Sequence, residues 1–407
     1  MACGSAPDSS LEFKKGEKPD RSEYNIQTLI WINIFIMTRF IKVRSTGCYF
    51  TSLYFFQMIT YRLANNADNQ QLIELTASTG MMGETALRID RNPDFFRLLN
   101  MRGESKVFVA LDGDTIIGSL CVSLQEVYIS GQILPVHYIG DFKVAASKRN
   151  MGVGLELCNE LANYVISQGA DIAFLNVAKG NSKPFSFFKN RPNIPDFENI
   201  GVFKIHQFIG KRKKAIHHKC KIEQTPISDE LIRFFDAYYS KYELGPLITK
   251  GKLAGTMIFK ICDKNDIIAA MCLQDTMQAK QNVVTNLSRK MTYLLRLLNS
   301  FSGVLGISKM PFINEPVRMI YIRYLAVNKY EKSLVRLLIN HARNIAYDKS
   351  YSFASIGLHE KDILHKCFTG LSKLTFRSVG MIVSIKGNRS LIDKVKQGVP
   401  FEDYASV

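Results

Sequence analysis

The stretch from residue 144 to 155, VAASKRNMGVGL, constrains the fold more than any other part of the chain. An apolar run, Tyr138–Val144, precedes it, and apolar residues at helical spacing follow it: Leu157, Leu161, Tyr164 and Val165. Two glycines and an arginine therefore stand where a strand turns into a helix. Free backbone N–H groups and the helix dipole attract an anion there, and glycine lets a phosphate approach closely. The pattern suits a pyrophosphate; the alternative is a glycine-rich turn without a ligand.

The spacing separates this turn from other phosphate-binding turns. It lacks the Gly-x-x-x-x-Gly-Lys-Ser/Thr pattern of P-loops, and the third glycine and later acidic residue of the dinucleotide fingerprint. Arg149-x-x-Gly152-x-Gly154 after a strand resembles the acetyl-CoA-binding motif of the GNAT N-acetyltransferase superfamily. The resemblance implies that acetyl-CoA binds through Arg149, Asn150, Met151, Gly152, Val153, Gly154 and Leu155.

The order of predicted elements over residues 58–210 agrees with this resemblance. A short strand and two helices precede a hairpin whose turn is Asp112-Gly113-Asp114. The strand, the glycine turn and its helix follow, and then the apolar strand Ala173–Ala178. We therefore expect an α/β (mixed α+β) fold with a GNAT-like mixed central sheet flanked by helices.

The resemblance also implies where the rest of the cofactor lies. Family members splay two central strands, and the pantetheine arm pairs with the open edge, here near the backbone of Phe142 and Val144. Asn181 matches an asparagine that often contacts the cofactor, although a helix cap is an alternative. Many members place a proton-donating tyrosine seven residues later, where this chain has Phe188. The general acid is therefore left open.

Asp141, just before the glycine turn, is the candidate general base for an attacking amine. Burial is expected to raise its pKa toward a useful range. The alternative is a solvated carboxylate, or one paired with Lys143 or Arg149. His137 is a weaker candidate, because a lone histidine is more often structural.

Residues 222–407 repeat the order strand, turn, helix, strand. The strand Met319–Val327 runs into a turn and a helix, and Ser352–Leu358 is the strand after it. The glycines are missing from this second turn, and Glu331 stands where phosphate would bind. We interpret 222–407 as a degenerate GNAT-like domain that no longer binds CoA, giving two tandem copies. An unrelated α+β domain is the alternative.

Nearly all of the net charge of +17 falls in the second half. Residues 211–407 contain 32 basic and 16 acidic residues, whereas residues 58–210 contain 14 and 15. A basic linker, residues 211–221, separates the two predicted domains. A basic surface attracts acidic or polyanionic partners, and a solvated basic face is the alternative. No nucleic-acid-binding motif is present.

The remaining sequence features concern the cellular compartment of the protein and its N-terminal segment. Eight scattered cysteines show neither CxxC nor zinc spacing, which favours reduced thiols in the cytoplasm. The apolar run of residues 29–37 is too short to span a bilayer, so no transmembrane segment is predicted. Residues 1–57 are predicted to be an N-terminal extension, poorly ordered or preceding a true start at Met58. A short interfacial anchor is the alternative.

The resemblance to the GNAT family implies an acyl-CoA-dependent N-acyltransferase that moves an acetyl group from acetyl-CoA to a primary amine, without a metal. Asp141 or a water would take the amine proton, and the acceptor is left open. One alternative is a protein that senses CoA, or acts as a scaffold, without turnover. Another is an aminoacyl transferase that uses charged tRNA.

Overall fold

The computed structural model describes residues 59–78, 80–81, 85–179, 195–212 and 220–407. Its strands in chain order are β1 (Thr60–Leu63), β2 (Gly80–Met81), β3 (Thr85–Asp90), β4 (Glu104–Asp112), β5 (Thr115–Ile129), β6 (Gln132–Val144), β7 (Ile172–Ala178), β8 (Glu198–Ile209), β9 (Glu223–Thr225), β10 (Gly245–Pro246), β11 (Met257–Asp263), β12 (Asp266–Asp275), β13 (Gln281–Leu287), β14 (Met319–Val327), β15 (Phe353–His359) and β16 (Lys373–Ser384). Its α-helices are α1 (Asn69–Ala77), α2 (Phe96–Arg102), α3 (Val153–Ser167), α4 (Asp229–Tyr239), α5 (Lys250–Leu253), α6 (Arg289–Ser300), α7 (Ser302–Leu305), α8 (Lys332–Asp348) and α9 (Arg389–Gln397).

The predicted mixed sheet flanked by helices is confirmed. Among the described residues a 13-stranded sheet has the order β1-β4-β5-β6-β7-β16-β8-β15-β14-β12-β11-β9, with β10 beside β5. This order is symmetrical about the β16–β8 pair. Parallel pairing occurs at two matching places, between β6 and β7 and between β14 and β15. The symmetry is what two copies of one topology would produce.

The halves exchange strands at the centre of this sheet. β16, from the second half, pairs with β7, so that Val379 lies opposite Val177. β8, from the first half, pairs with β15, so that His206 lies opposite Ile356. Each half therefore completes its sheet with a strand of the other, which explains why the described residues pack as one unit. The domain bounds 58–210, 211–221 and 222–407 stay a prediction.

The first-half core fixes the helix that follows the glycine turn. Leu157, Leu161 and Val165 of α3 are buried against the sheet, as their spacing predicts. Gly118 of β5 lies beneath this helix, and a Cβ there would stand 3.0 Å from Leu157 Cδ1. The glycine lets α3 lie close to the sheet, so that its first turn stands beside the end of β6.

A smaller sheet also joins the halves. β3 pairs antiparallel with both β13 and the short strand β2. No sequence pattern predicted this smaller sheet. Across the described residues, none of the helices is both long and apolar enough to cross a membrane.

Candidate active site

The predicted strand–turn–helix around residues 144–155 is present. β6 ends at Val144, a short 3-10 turn follows, and Gly152 begins α3 with a φ of 81°. A left-handed φ strains any residue with a Cβ, so the turn requires glycine there. The space where a Cβ would point is open. No side chain of the described residues caps this helix start. The first N–H groups of α3 are therefore available to bind an anion.

Two central strands diverge beside this turn. β6 and β7 pair in parallel only from Val136–Ile172 to Tyr138–Phe174. Beyond Tyr138, β6 runs on to Val144 while β7 pairs with β16. The result is a gap that begins at the sheet centre and opens at the glycine turn. Phe142 and Val144 are half-buried along it.

The surroundings of Asp141 differ from those that were predicted for a general base. Asp141 lies in a β-bulge with a φ of 50°, and its side chain is 10% exposed. Arg91 Nη2 lies 2.5 Å from Oδ1, and Arg102 Nη1 lies 3.2 Å from Oδ2. Burial alone would raise the pKa of this carboxyl, but the two arginines hold its pKa well below the ordinary value. The expected rise in pKa is therefore wrong. The alternatives, a solvated carboxylate or a pair with Lys143 or Arg149, are not observed either. Among the described residues, the largely buried side chain of Asp141 lies between Arg91 and Arg102 instead.

The physical reason is an ion-pair cluster built from distant segments. Arg91 and Arg102 are both almost fully buried, so their charges are weakly screened and keep Asp141 ionised. Lys280 of the second half is buried nearby, and burial with the repulsion of both arginines lowers its pKa to about 7. Such a carboxylate is a weak proton acceptor, and its geometry is that of a structural counter-ion.

A different carboxyl reaches the gap. Glu402 Oε2 accepts a hydrogen bond of 2.7 Å from Asn176 Nδ2, on β7 just beyond the point where β6 diverges. Glu402 is 6% exposed. Burial, and then the neighbouring Asp403 carboxylate, raise the pKa of Glu402 to about 8. Sequence reasoning missed this residue, because no motif surrounds it.

The chain around Glu402 runs between the halves. The Phe401 ring packs against Tyr239 of α4 at a centroid distance of 4.8 Å. The Tyr404 hydroxyl bonds to Ser378 Oγ. A cleft beside Glu402 is lined by residues of both halves: Met101, Gln125, Phe174, Leu244, Lys252 and Arg323. This cleft lies next to a carboxyl whose pKa burial raises toward the neutral range.

His137 is fully buried, and desolvation lowers the pKa of its imidazole. Its ring packs edge-on against Tyr164. This placement is structural. Asn181 and Phe188 lie outside the described residues, as does the predicted extension 1–57.

The matching gap of the second half is already occupied. β14 and β15 pair only from Met319–Phe353 to Tyr321–Ser355. Beyond that point, the Tyr239 hydroxyl accepts from the N–H of Leu325 at 2.8 Å and donates to its C=O at 3.3 Å. The Tyr239 side chain therefore occupies the backbone edge of β14 with which a pantetheine arm would have to pair.

Comparisons with known proteins place the first half in a family. Residues 60–181 match the acetyltransferase (GNAT) domain. No curated protein sequence matches the chain. The chain therefore carries a domain of the GNAT family in its first half.

Solved structures share the fold over about 80% of the chain. Saccharomyces cerevisiae N-myristoyltransferase with bound myristoyl-CoA has a TM-score of 0.53 at 9% identity, covering 80% of this chain and 79% of that chain. A GCN5-related glucosamine N-acetyltransferase region of a fungal multi-domain GH3 β-N-acetylglucosaminidase has a TM-score of 0.53 at 15% identity, covering 80% of this chain and 38% of that chain. At these identities the likeness concerns the fold alone.

Proposed function

We propose that this protein is an acyl-CoA-dependent N-acyltransferase that transfers an acetyl group from acetyl-CoA to a primary amine. The observation that carries the proposal is the gap between β6 and β7, which leads from an uncapped glycine turn to a buried carboxyl. The GNAT domain at residues 60–181 supports an acyl-CoA donor.

The glycine turn would hold the pyrophosphate of the donor. The first N–H groups of α3, at Val153, Gly154 and Leu155, point out of the helix start and carry the positive end of its dipole. Arg149, Asn150 and Met151 are exposed around the turn, and Arg149 adds a positive charge. Gly152 leaves the approach open. This chain's own backbone therefore supplies the anion site, and no metal is required by the proposal.

The gap would take the pantetheine arm. The backbone of Phe142 and Val144 lies on the β6 side of the gap, where the pairing with β7 has ended. A bound arm would thus bring the thioester toward Asn176 and Glu402. Asn181 remains a proposed further contact.

Glu402 replaces Asp141 as our proposed general base. An ammonium must lose a proton before its nitrogen can attack the thioester carbonyl, and Glu402 would accept that proton directly or through a water. The nitrogen then attacks, so that a C–N bond forms and the C–S bond breaks. The second proton of the nitrogen passes through water to the leaving CoA thiolate, which gives the amide and the free CoA thiol. Asn176 would keep the Glu402 carboxyl directed at the gap. The cleft between the halves is the side from which the amine would approach Glu402.

The second half would act as a structural copy. The symmetrical strand order supports two tandem GNAT-like copies. The second turn has Glu331 at the start of α8 in place of glycine, and Tyr239 occupies the edge of β14. Both features oppose CoA binding there.

The test is release of free CoA thiol from acetyl-CoA in the presence of small amines, amino acids and peptides, with a long-chain acyl-CoA as a second donor. We expect amine-dependent thiol release that is faster with acetyl-CoA. Binding of CoA without thiol release from any amine would support the sensor alternative. Faster release from the long-chain donor would refute acetyl specificity. Aminoacyl transfer from charged tRNA, without thiol release, would support the tRNA alternative.

A further inference from the structure

Helices α6 and α7, with the residue that joins them, present an apolar face to solvent. Val304 is 88% exposed and Tyr293 is 72% exposed. The large exposed apolar side chains of this face are Tyr293, Leu294, Leu297, Phe301, Val304 and Leu305. These residues form what we call the α6–α7 face. Apolar residues exposed singly are normal on a protein surface, but six exposed within 13 residues are a grouping that usually marks a binding surface.

The arrangement of α6 shows that this face is not simply an unburied core. Met291 and Leu295, four residues apart, pack against the body of the protein. Tyr293, Leu297 and Phe301 also repeat every four residues, so they share a different stripe of the helix. α6 thus has one apolar stripe for the protein and a second one left to solvent. No residue of α6 is fully buried.

Positive charge flanks the face. Residues 287–310 contain four basic residues, all exposed, and no acidic residue. Three of them, Arg289, Lys290 and Arg296, are exposed on α6 itself. The spacing places them within about a quarter turn of the apolar stripe, at about 100° per residue.

The basic linker begins at the same place. The backbone N–H of Arg212 donates to the C=O of Gly306 at 2.8 Å, directly after α7. Lys211 forms a β-bridge with Ile307. Lys211 and Arg212 are thereby fixed beside the end of α7, and the exposed Arg212 adds its positive charge to that of α6.

We propose that the α6–α7 face seats the protein on the surface of an anionic phospholipid bilayer. An apolar stripe flanked by lysine and arginine is the pattern of a helix that lies in the membrane interface. The apolar side chains would enter the acyl region, and the cations would meet acidic headgroups. The 12 residues of α6 are too few to span a bilayer.

Charge argues against two other occupants. A second copy of this chain would bring the same cations against these cations, which disfavours self-association. A nucleic acid would use the cations but would leave the apolar stripe exposed.

The test is co-sedimentation of the full chain with vesicles of phosphatidylcholine alone and with vesicles that also contain phosphatidylserine. We expect binding to the phosphatidylserine vesicles, which weakens in high salt. Leu297→Glu should reduce the partition coefficient at least tenfold, and Arg296→Glu should reduce it severalfold. Ile166→Glu is the matched control, because Ile166 is a helical residue that is 55% exposed outside this face. It should leave binding unchanged.

Three results would overturn the proposal. One is the absence of binding, or equal binding to both kinds of vesicle. Another is binding that survives both Leu297→Glu and Val304→Glu, two substitutions on separate helices that guard against a folding defect in one variant. The third is a dimer in free solution, measured by light scattering, that Leu297→Glu dissociates, because a second copy would then cover the face.

Discussion

Replacing Glu402 by glutamine should change how stability depends on pH. The pKa of Glu402 rises from 4.5 to about 8 on folding. The native state thus favours the protonated carboxyl, so its stabilising contribution is full below pH 4.5 and is lost as the pH rises to 8. At about 1.4 kcal/mol per pH unit, the wild-type protein should lose about 3 to 4 kcal/mol from this group between pH 5 and pH 8. The amide cannot ionise, so Glu402→Gln should not show that loss.

The assay is urea unfolding of both proteins at pH 5 and pH 8. Glu104→Gln is the control, since Glu104 is 67% exposed and should leave the pH dependence unchanged. Glu402→Gln should also lower turnover and remove a limb of the pH–rate profile with a midpoint near 8. If the wild-type and Glu402→Gln free energies of unfolding fall in parallel, or the limb survives, then Glu402 does not carry this proton.

Three further substitutions test the surroundings. Asp141→Asn leaves two buried guanidinium groups without their counter-ion and should cost about 3 to 5 kcal/mol of unfolding free energy in urea; unchanged stability with lost turnover would instead restore its role as a base. Asn176→Asp places a second carboxyl beside Glu402, so the midpoint of the pH–rate limb should move upward, and a downward shift would refute the contact. Tyr239→Phe removes the hydroxyl that pairs with the buried backbone of Leu325 and should cost about 1 to 3 kcal/mol in thermal or urea unfolding; a neutral effect would mean that the edge is not filled by this group.

The donor side of the site could be predicted from local sequence. The left-handed φ at Gly152, the buried stripe of α3 and the strand before the turn all depend on residues within one short segment. Hydrophobic periodicity and glycine chemistry report such local structure directly. The second-half strand Met319–Val327 could be predicted for the same reason.

The acceptor side could not be predicted, because its contacts join distant segments. Glu402 and its partner Asn176 are 226 residues apart, and nothing local marks the glutamate as buried. The low pKa of Asp141 could not be predicted for the same reason, since the two arginines that lower it come from separate segments. The exchange of β8 and β16 has no local signal either, because a strand has the same pattern whichever half it completes.

The most direct test of the central claim is calorimetric titration of the full chain with acetyl-CoA, comparing wild type, Gly152→Glu and Gly169→Glu. Both glycines have a positive φ, 81° and 75°, with open space around them, so both substitutions strain the backbone alike. Only Gly152→Glu puts a negative charge at the proposed phosphate cradle. Repulsion at about 4 Å is about 1 to 4 kcal/mol, a loss of affinity from about fivefold to about a thousandfold. We predict binding that Gly169→Glu keeps and Gly152→Glu loses; equal affinity in all three proteins, or no binding by the wild type, would contradict a CoA site at this turn.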